Sequence, residues 1–265
     1  MNTPKTKVAP EPVTLFSYNE GTFTEKTNKA TLVTTLYDIP SSAITLKQRK
    51  ESLQFFLETV PKYTIVFTQA KFLDDIVKYD PSGLRLRIVI LERNQWIANT
   101  KYKPNLWTDQ VKQDPEIRMS RTVEEFQFAY EKKEFMVKAA EMNPFGSTDF
   151  VWIDTLGKPS ISSLFPLVNR IPTDRILVSN PEPFTADDIA SSSFRGKRRV
   201  DNMVIAGSRR SWEEYAKLYD IVLNQKLRFF SFVGDDLLLL NYVIIHKPKQ
   251  FCLVKESLLS YLSSL

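Results

Sequence analysis

Glycine is scarce, with 7 in 265 residues. Loops that cradle phosphate are built from glycine because their backbone must approach the ligand closely. Neither GxGxxG nor GxxxxGK[ST] occurs in the chain, which excludes a dinucleotide fingerprint and a P-loop. A single cysteine, Cys252, excludes an internal disulfide framework and a cysteine-rich zinc site. A single histidine, His246, excludes a multi-histidine metal site. It also leaves a Ser-His-Asp triad one possible base, and no GxSxG elbow accompanies it, so hydrolase chemistry is disfavoured. No apolar run is long enough to span a bilayer and no signal-peptide pattern is present. The expectation is a cytoplasmic, reducing location with no transmembrane segment.

What is present is a chain able to bury a full core: 43% hydrophobic, with 18 Phe, 10 Tyr and 4 Trp. The formal charge of +5 favours anionic partners such as nucleotides, phosphosugars or a membrane surface. Nucleic-acid binders concentrate their basic excess in one stripe, whereas these lysines and arginines are spread widely. The one dense run, Arg195-Gly-Lys-Arg-Arg199, reads as a solvated loop, so no nucleic-acid partner is expected.

Residues 1–29 are polar, carry Pro4, Pro10 and Pro12, and read as an N-terminal arm before a single domain over 30–265. Thr31–Tyr37, Tyr63–Thr68 and Leu84–Leu91 are β-branched, apolar runs. The helical segments Thr45–Thr59 and Ala70–Tyr79 separate them, which predicts βαβ units and a parallel sheet. Asn94–Ser120 reads as a less regular loop layer with Trp96, Tyr102 and Trp107. Val123–Met142 predicts a long helix, with Lys132, Lys133 and Lys138 on its solvent side, broken at Asn143-Pro-Phe-Gly146.

Phe150-Val-Trp-Ile-Asp154 follows: four apolar residues leading to one carboxylate. It reads as a buried central strand that presents an acid at the rim of the sheet, where ligands of open α/β sheets bind. Asp154 could equally cap the next turn. Beyond it, Ile161–Val168 predicts a short helix, and Asp174–Ser179 and Met203–Gly207 predict strands. A helix follows from Ser208 with Ser211 as N-cap and Glu214 at N3, and another begins after Gly234-Asp-Asp236. His246–Val254 reads as a final strand and Glu256–Leu265 as a closing helix. The predicted fold is α/β: one domain with a mixed, mostly parallel central sheet flanked by helices.

Three features combine into a chemical hypothesis. Asp154 ends a central strand, Ala206-Gly207 reads as a turn followed by Arg209 and Arg210, and Asp235, Asp236 and His246 lie toward the C-terminus. A nucleotide-sugar transferase needs a carboxylate-held cation on the diphosphate, cationic groups for the leaving group, and an acid near the sugar. Taken singly, the acid pair reads as a helix cap, the histidine as a surface residue and the arginines as solvated.

The stretch from Asp114-Pro-Glu116 through Tyr130, the lysine-bearing helix, Asn143-Pro-Phe145 and Phe150-Val-Trp-Ile-Asp154 resembles the HtrL/YibB family of glycosyltransferase-like proteins. Asp38, Arg49, Ile65–Thr68, and Ile205-Ala-Gly207 followed by Trp212 are similar to further family elements, so the likeness covers about Thr31 to Val254. The resemblance implies a GT-A-like fold, in which an Asp-x-Asp motif holds manganese on a UDP-sugar. Here Asp154 is flanked by Trp152 and Leu156, so only one acid of the pair is present. His246-Lys-Pro248 is similar to the C-terminal His and Lys-Pro of glycogenin-like transferases, in which the histidine is a metal ligand and the lysine touches the diphosphate.

The resulting expectation is a glycosyltransferase that moves a sugar from a nucleotide-sugar donor, UDP-linked, to a glycan acceptor. Asp154, Trp152, Asp38, Arg49 and Lys247 would bind the donor, and Asp154 and His246 a divalent cation, manganese. Ala206, Gly207 and Arg209 would meet the sugar or acceptor. Asp235 or Asp236 would be the base of an inverting reaction, or would stabilise the oxocarbenium-like centre of a retaining one. The alternative is a non-catalytic nucleotide- or carbohydrate-binding protein on a decayed transferase scaffold. An RNA-binding protein using Arg195–Arg199 is a third possibility, recognisable by binding that falls steeply with salt. The sequence sets no oligomeric state.

Overall fold

The computed structural model describes residues 30–41, 43–60, 62–115, 121–157, 171–191, 194, 197, 199–229, 231–234, 236–255 and 258. The N-terminal arm, the helix expected over 161–168, most of the closing helix and Asp235 lie outside the described residues. The first strand, β1 (Ala30–Leu36), leads to helix α1 (Leu46–Thr59). Then come β2 (Thr64–Thr68), the short α2 (Leu73–Val77) and β3 (Leu86–Ile90). Helices α3 (Ile97–Thr100), α4 (Pro104–Gln113) and α5 (Val123–Met142) follow, then β4 (Asp149–Ile153) and β5 (Ile176–Ser179). The chain continues through α6 (Ala186–Ser191), β6 (Asp201–Ser208), α7 (Arg209–Arg228), α8 (Asp236–His246) and β7 (Phe251–Val254).

Among the described residues these strands form one seven-stranded sheet in the order β3-β2-β1-β4-β6-β5-β7. Only β6 runs against its neighbours; the pairs β1–β2, β2–β3, β1–β4 and β5–β7 are parallel. The sheet is therefore mixed and mostly parallel, as the strand–helix alternation predicts. Alternation along β4 sends Phe150 and Trp152 to one face, packed with Phe135 of α5, Trp212 of α7 and Leu240 of α8. Val151 and Ile153 point to the other face, against Leu53, Phe56 and Leu57 of α1. With both faces covered, β2 and β4 are buried at every position, whereas the edge strand β3 exposes Arg87 and Ile90.

Local chemistry sets the element ends. Thr45 caps α1 and Thr122 caps α5, each in a reciprocal capping box with Gln48 or Glu125. Asn143 ends α5 in the left-handed region at φ 35°, and its side chain bonds both Ser147 N and Ser147 O, turning the chain into β4.

The structure corrects several expectations. Residues 94–115 are largely helical, because Pro104 suits the first turn of α4 and Trp107 donates to Ala98 O at 2.9 Å. The N-cap of α7 is Ser208, not Ser211: its hydroxyl accepts from Ser211 N at 3.2 Å. Ala206 and Gly207 form no turn. They lie inside β6, paired with Val151 and Phe150, and a Cβ on Gly207 would meet Ile176 Cδ1 at 2.6 Å. His246 ends helix α8 and is not in a strand, since the apolar helix continues until Lys247-Pro248 stops it; β7 begins at Phe251. No helix among the described residues is long and apolar enough to cross a membrane.

Lys132 and Lys133 do not face solvent. Lys133, with its side chain 1% exposed, meets Asp220 at 3.0 Å and also Glu134, and Lys132 lies 2.5 Å from Asp236. Of the basic run, Arg195 and Arg198 lie outside the described residues, while Lys197 and Arg199 grip the buried Asp188 at 2.6 and 2.9 Å. Burial raises the Asp188 carboxyl, but Lys197, Thr185 and Arg199 overcome it and hold the carboxyl at about 2, below the usual 3.8. A depressed carboxyl contributes stability above its unfolded value and loses it as pH falls through the folded one. Between about pH 4 and 2 the wild-type unfolding midpoint should therefore fall more steeply than that of Asp188→Asn. Parallel thermal-unfolding profiles would remove Asp188 from the acid response.

Candidate functional site

The carboxyl ends of β1–β4 share one edge of the sheet. Strand order reverses between β1 and β4, since β2 and β3 lie to one side of β1 and all later strands to the other. In open α/β sheets the crevice at such a switch point is where ligands bind. A cleft of about 380 Å³, its solvent mouth included, opens there. It is lined by Thr35 of β1 with Tyr37 and Ile39 just after it, by Trp152 of β4 with Asp154 just beyond, and by Arg49 reaching across from α1.

Asp154 is half-buried at this rim. Its backbone donates to Met203 O at 2.7 Å, and its Oδ1 accepts from Leu156 N at 3.1 Å. Both the rim position and the turn-capping role expected from sequence are thus realised together. Asp38 sits on the same edge, its backbone N–H donating to Gln69 Oε1 at 3.0 Å and its carboxylate 2.5 Å from Lys71. Burial pulls the Arg49 guanidinium below its usual value, while Asp154, Glu125 and Asp38 pull it back. A guanidinium stays charged throughout. Arg49 Nε is buried without a hydrogen-bond partner, as is Trp152 Nε1. Among the described residues no carboxylate closes an ion pair with Arg49.

A second cavity, about 330 Å³ with its mouth, lies on the helical side of Trp152 and shares that residue with the crevice. Lys132, Asn202, Tyr215 and Asp236 line it, and Lys132 Nζ stands 5.5 Å from the Trp152 ring centroid. Asp236 opens α8, so its negative charge meets the positive end of the helix dipole as well as Lys132. Sequence reasoning missed Lys132. The available signal was its place on the same helix face as Ala129 and Met136, three and four residues away, which also line the cavity.

The remaining site candidates do not gather here. Cys252 of β7 is level with Leu177, Ala206 and Val151 across the sheet. His246 and Lys247 precede Phe251, so they lie exposed at the amino edge, next to a strand that stands three places from β4 in the sheet. Gly207 and Arg209 lie at that same far edge: Ser208 pairs with Asp149, at the start of β4, and Arg209 is exposed and bonded to Glu213 at 2.8 Å. Asp154 and His246 therefore cannot share one cation. Among the described residues no three His, Cys, Asp or Glu side chains converge as ligands. Hard cations want several oxygens at once, and Asp154 is the one carboxylate lining the crevice among the described residues; Asp38 on the same edge is held by Lys71. The donor set implied by the GT-A resemblance does not assemble.

No family model matches the chain, and no curated protein matches it in sequence. Among solved structures, the crystal structure of mouse xyloside xylosyltransferase 1 in its apo form is similar, with a TM-score of 0.46 and 9% identity, covering 85% of each chain. That likeness assigns no residue a role.

Proposed function

We propose that the protein is a glycosyltransferase that takes a nucleotide-sugar donor into the β1/β4 crevice and passes the sugar to a glycan acceptor. The observation that carries this reading is the cleft at the switch point of the sheet, lined by Asp154, Trp152 and Arg49 together. The HtrL/YibB-like block from Asn143 to Asp154 supports the same reading, because it contains the turn and the strand that carry Asp154 to the rim.

In this scheme Asp154 accepts hydrogen bonds from donor hydroxyls, and the acceptor approaches along Trp152, which lines both the crevice and the second cavity. The acceptor oxygen bonds to the anomeric carbon as the bond from that carbon to the diphosphate oxygen breaks. The electron pair leaves with the diphosphate, and the acceptor proton passes to Asp236, whose other partner is Lys132. No step is assigned to a metal ion.

Thermal unfolding against a panel of nucleoside diphosphates and nucleotide-sugars tests the reading. A ligand that binds only the native state raises the midpoint by mass action. One nucleotide class should raise it saturably, and Asp154→Ala should cut that affinity roughly tenfold, the equivalent of one lost charged hydrogen bond. No shift with any nucleotide would sink the donor site and leave the carbohydrate-binding alternative.

A further inference from the structure

We infer that Arg49, and not a cation held by the protein, is the fixed counter-charge for the diphosphate of the ligand in this crevice. The inference rests on the nucleotide-donor reading and specifies how that site handles charge.

The polar groups around the crevice are unequally committed. Asp38 is taken by Lys71, one oxygen of Asp154 by Leu156 N, and one oxygen of Glu125 by Thr122 N in the α5 capping box. Arg49 alone of these charged groups keeps a buried donor, Nε, with no partner. Leaving a buried donor unmade costs about 1–3 kcal/mol, so an unpartnered one in a cleft is a place where a ligand acceptor is worth most. Trp152, which also lines the crevice, keeps a second such donor in Nε1. Both unsatisfied groups donate, and the ligand must therefore bring acceptors.

Chemistry narrows the class. The guanidinium presents its N–H groups in a rigid plane that matches two oxygens of one phosphate. Its helix holds it in place: the Thr45 capping box fixes the first turn of α1, and Arg49 N bonds Thr45 O at 3.1 Å. The three acids around it offset the pull of burial on the guanidinium, and they also repel any anion that does not reach it. Such a site selects a phosphate placed to make the bidentate contact. When the anomeric carbon–oxygen bond breaks, the electron pair stays on the diphosphate oxygen, and the Arg49 N–H groups take up that charge.

Calorimetric titration of UDP, ADP and GDP into the full chain, in EDTA and again in manganese, tests this. The expected result is that the nucleotide that binds does so in both media, with dissociation constants within about twofold. Arg49→Gln should weaken that diphosphate at least tenfold, about 1.4 kcal/mol. It should leave the parent nucleoside's affinity within twofold, and Arg49→Lys should recover part of the loss. Unfolding midpoints of both variants confirm that they fold. Binding that appears only with manganese and vanishes in EDTA overturns the inference and leaves the donor reading standing. Equal loss of nucleoside and diphosphate in Arg49→Gln overturns it as well, since Arg49 would then only shape the cleft. Absence of any nucleotide binding in either medium sinks the donor reading and the inference with it.

Discussion

Asp220→Ala should destabilise the protein by about 3–5 kcal/mol, the usual consequence of removing one partner of a buried charge cluster. Asp220, on α7, takes Lys133 Nζ at 3.0 Å and Tyr130 OH at 3.1 Å on one oxygen, and Lys101 Nζ at 2.5 Å on the other. Burial raises its carboxyl, but the two lysines outweigh that and hold it below its usual value. Lys133 is almost wholly enclosed and lies 4.0 Å from the Tyr130 ring centroid. Without Asp220 it keeps only Glu134 as a carboxylate partner among the described residues. For a chain of this size the unfolding midpoint should fall by roughly 10 °C. Adding Lys133→Met should recover part of the loss, because the stranded charge is replaced by apolar volume. Urea unfolding of the two single variants and the double variant measures the coupling. A loss under 1 kcal/mol for Asp220→Ala, or no recovery in the double variant, would show that the cluster does not clamp α5 to α7.

That clamp bears on the site, because Lys132 is the next residue to Lys133 and can point at Asp236 only while this turn of α5 stays in place. On the transferase reading proposed above, Asp236→Asn should then lower transfer by about 10²–10⁴-fold, the range for loss of a general base. The same variant should keep the nucleotide affinity of the parent, since Asp236 lines the cavity beyond Trp152 and not the donor crevice. The assay needs no known acceptor: slow hydrolysis of the bound donor, with water as acceptor, reads the same proton transfer. Unchanged hydrolysis with unchanged binding would dismiss Asp236 as the base. Reduced binding in step with reduced hydrolysis would make it a residue of the donor site instead.

The two cavities were legible in the sequence to different degrees. Phe150–Asp154 announced its own position, because a run of four apolar residues ending in an acid is buried on both faces and stops at a rim. Arg49 was singled out only by resemblance, and nothing in its neighbourhood in sequence tells that α1 carries it over the end of β4. Gly207 misled for a physical reason. A glycine after an apolar run signals a turn, yet this one allows close approach: Trp212 Nε1 donates to Phe150 O at 3.0 Å just above it. His246 misled because a short apolar run before Lys-Pro fits a helix end and a strand start equally well.

By itself the sequence determined the alternation of strands and helices, the parallel core of the sheet and the absence of glycine-built phosphate loops. These follow from residue periodicity and composition, which are local. Which end of the sheet each candidate occupies was decided only by tertiary structure, because it depends on the direction of β6 and β7 relative to β4. The reversal of β6 carries Gly207 and Arg209 to the edge opposite Asp154, and the start of β7 leaves His246 there too. The same packing buried Lys132 and Lys133, because two helices meeting face to face enclose whatever charges lie between them, and those charges then have to be paired.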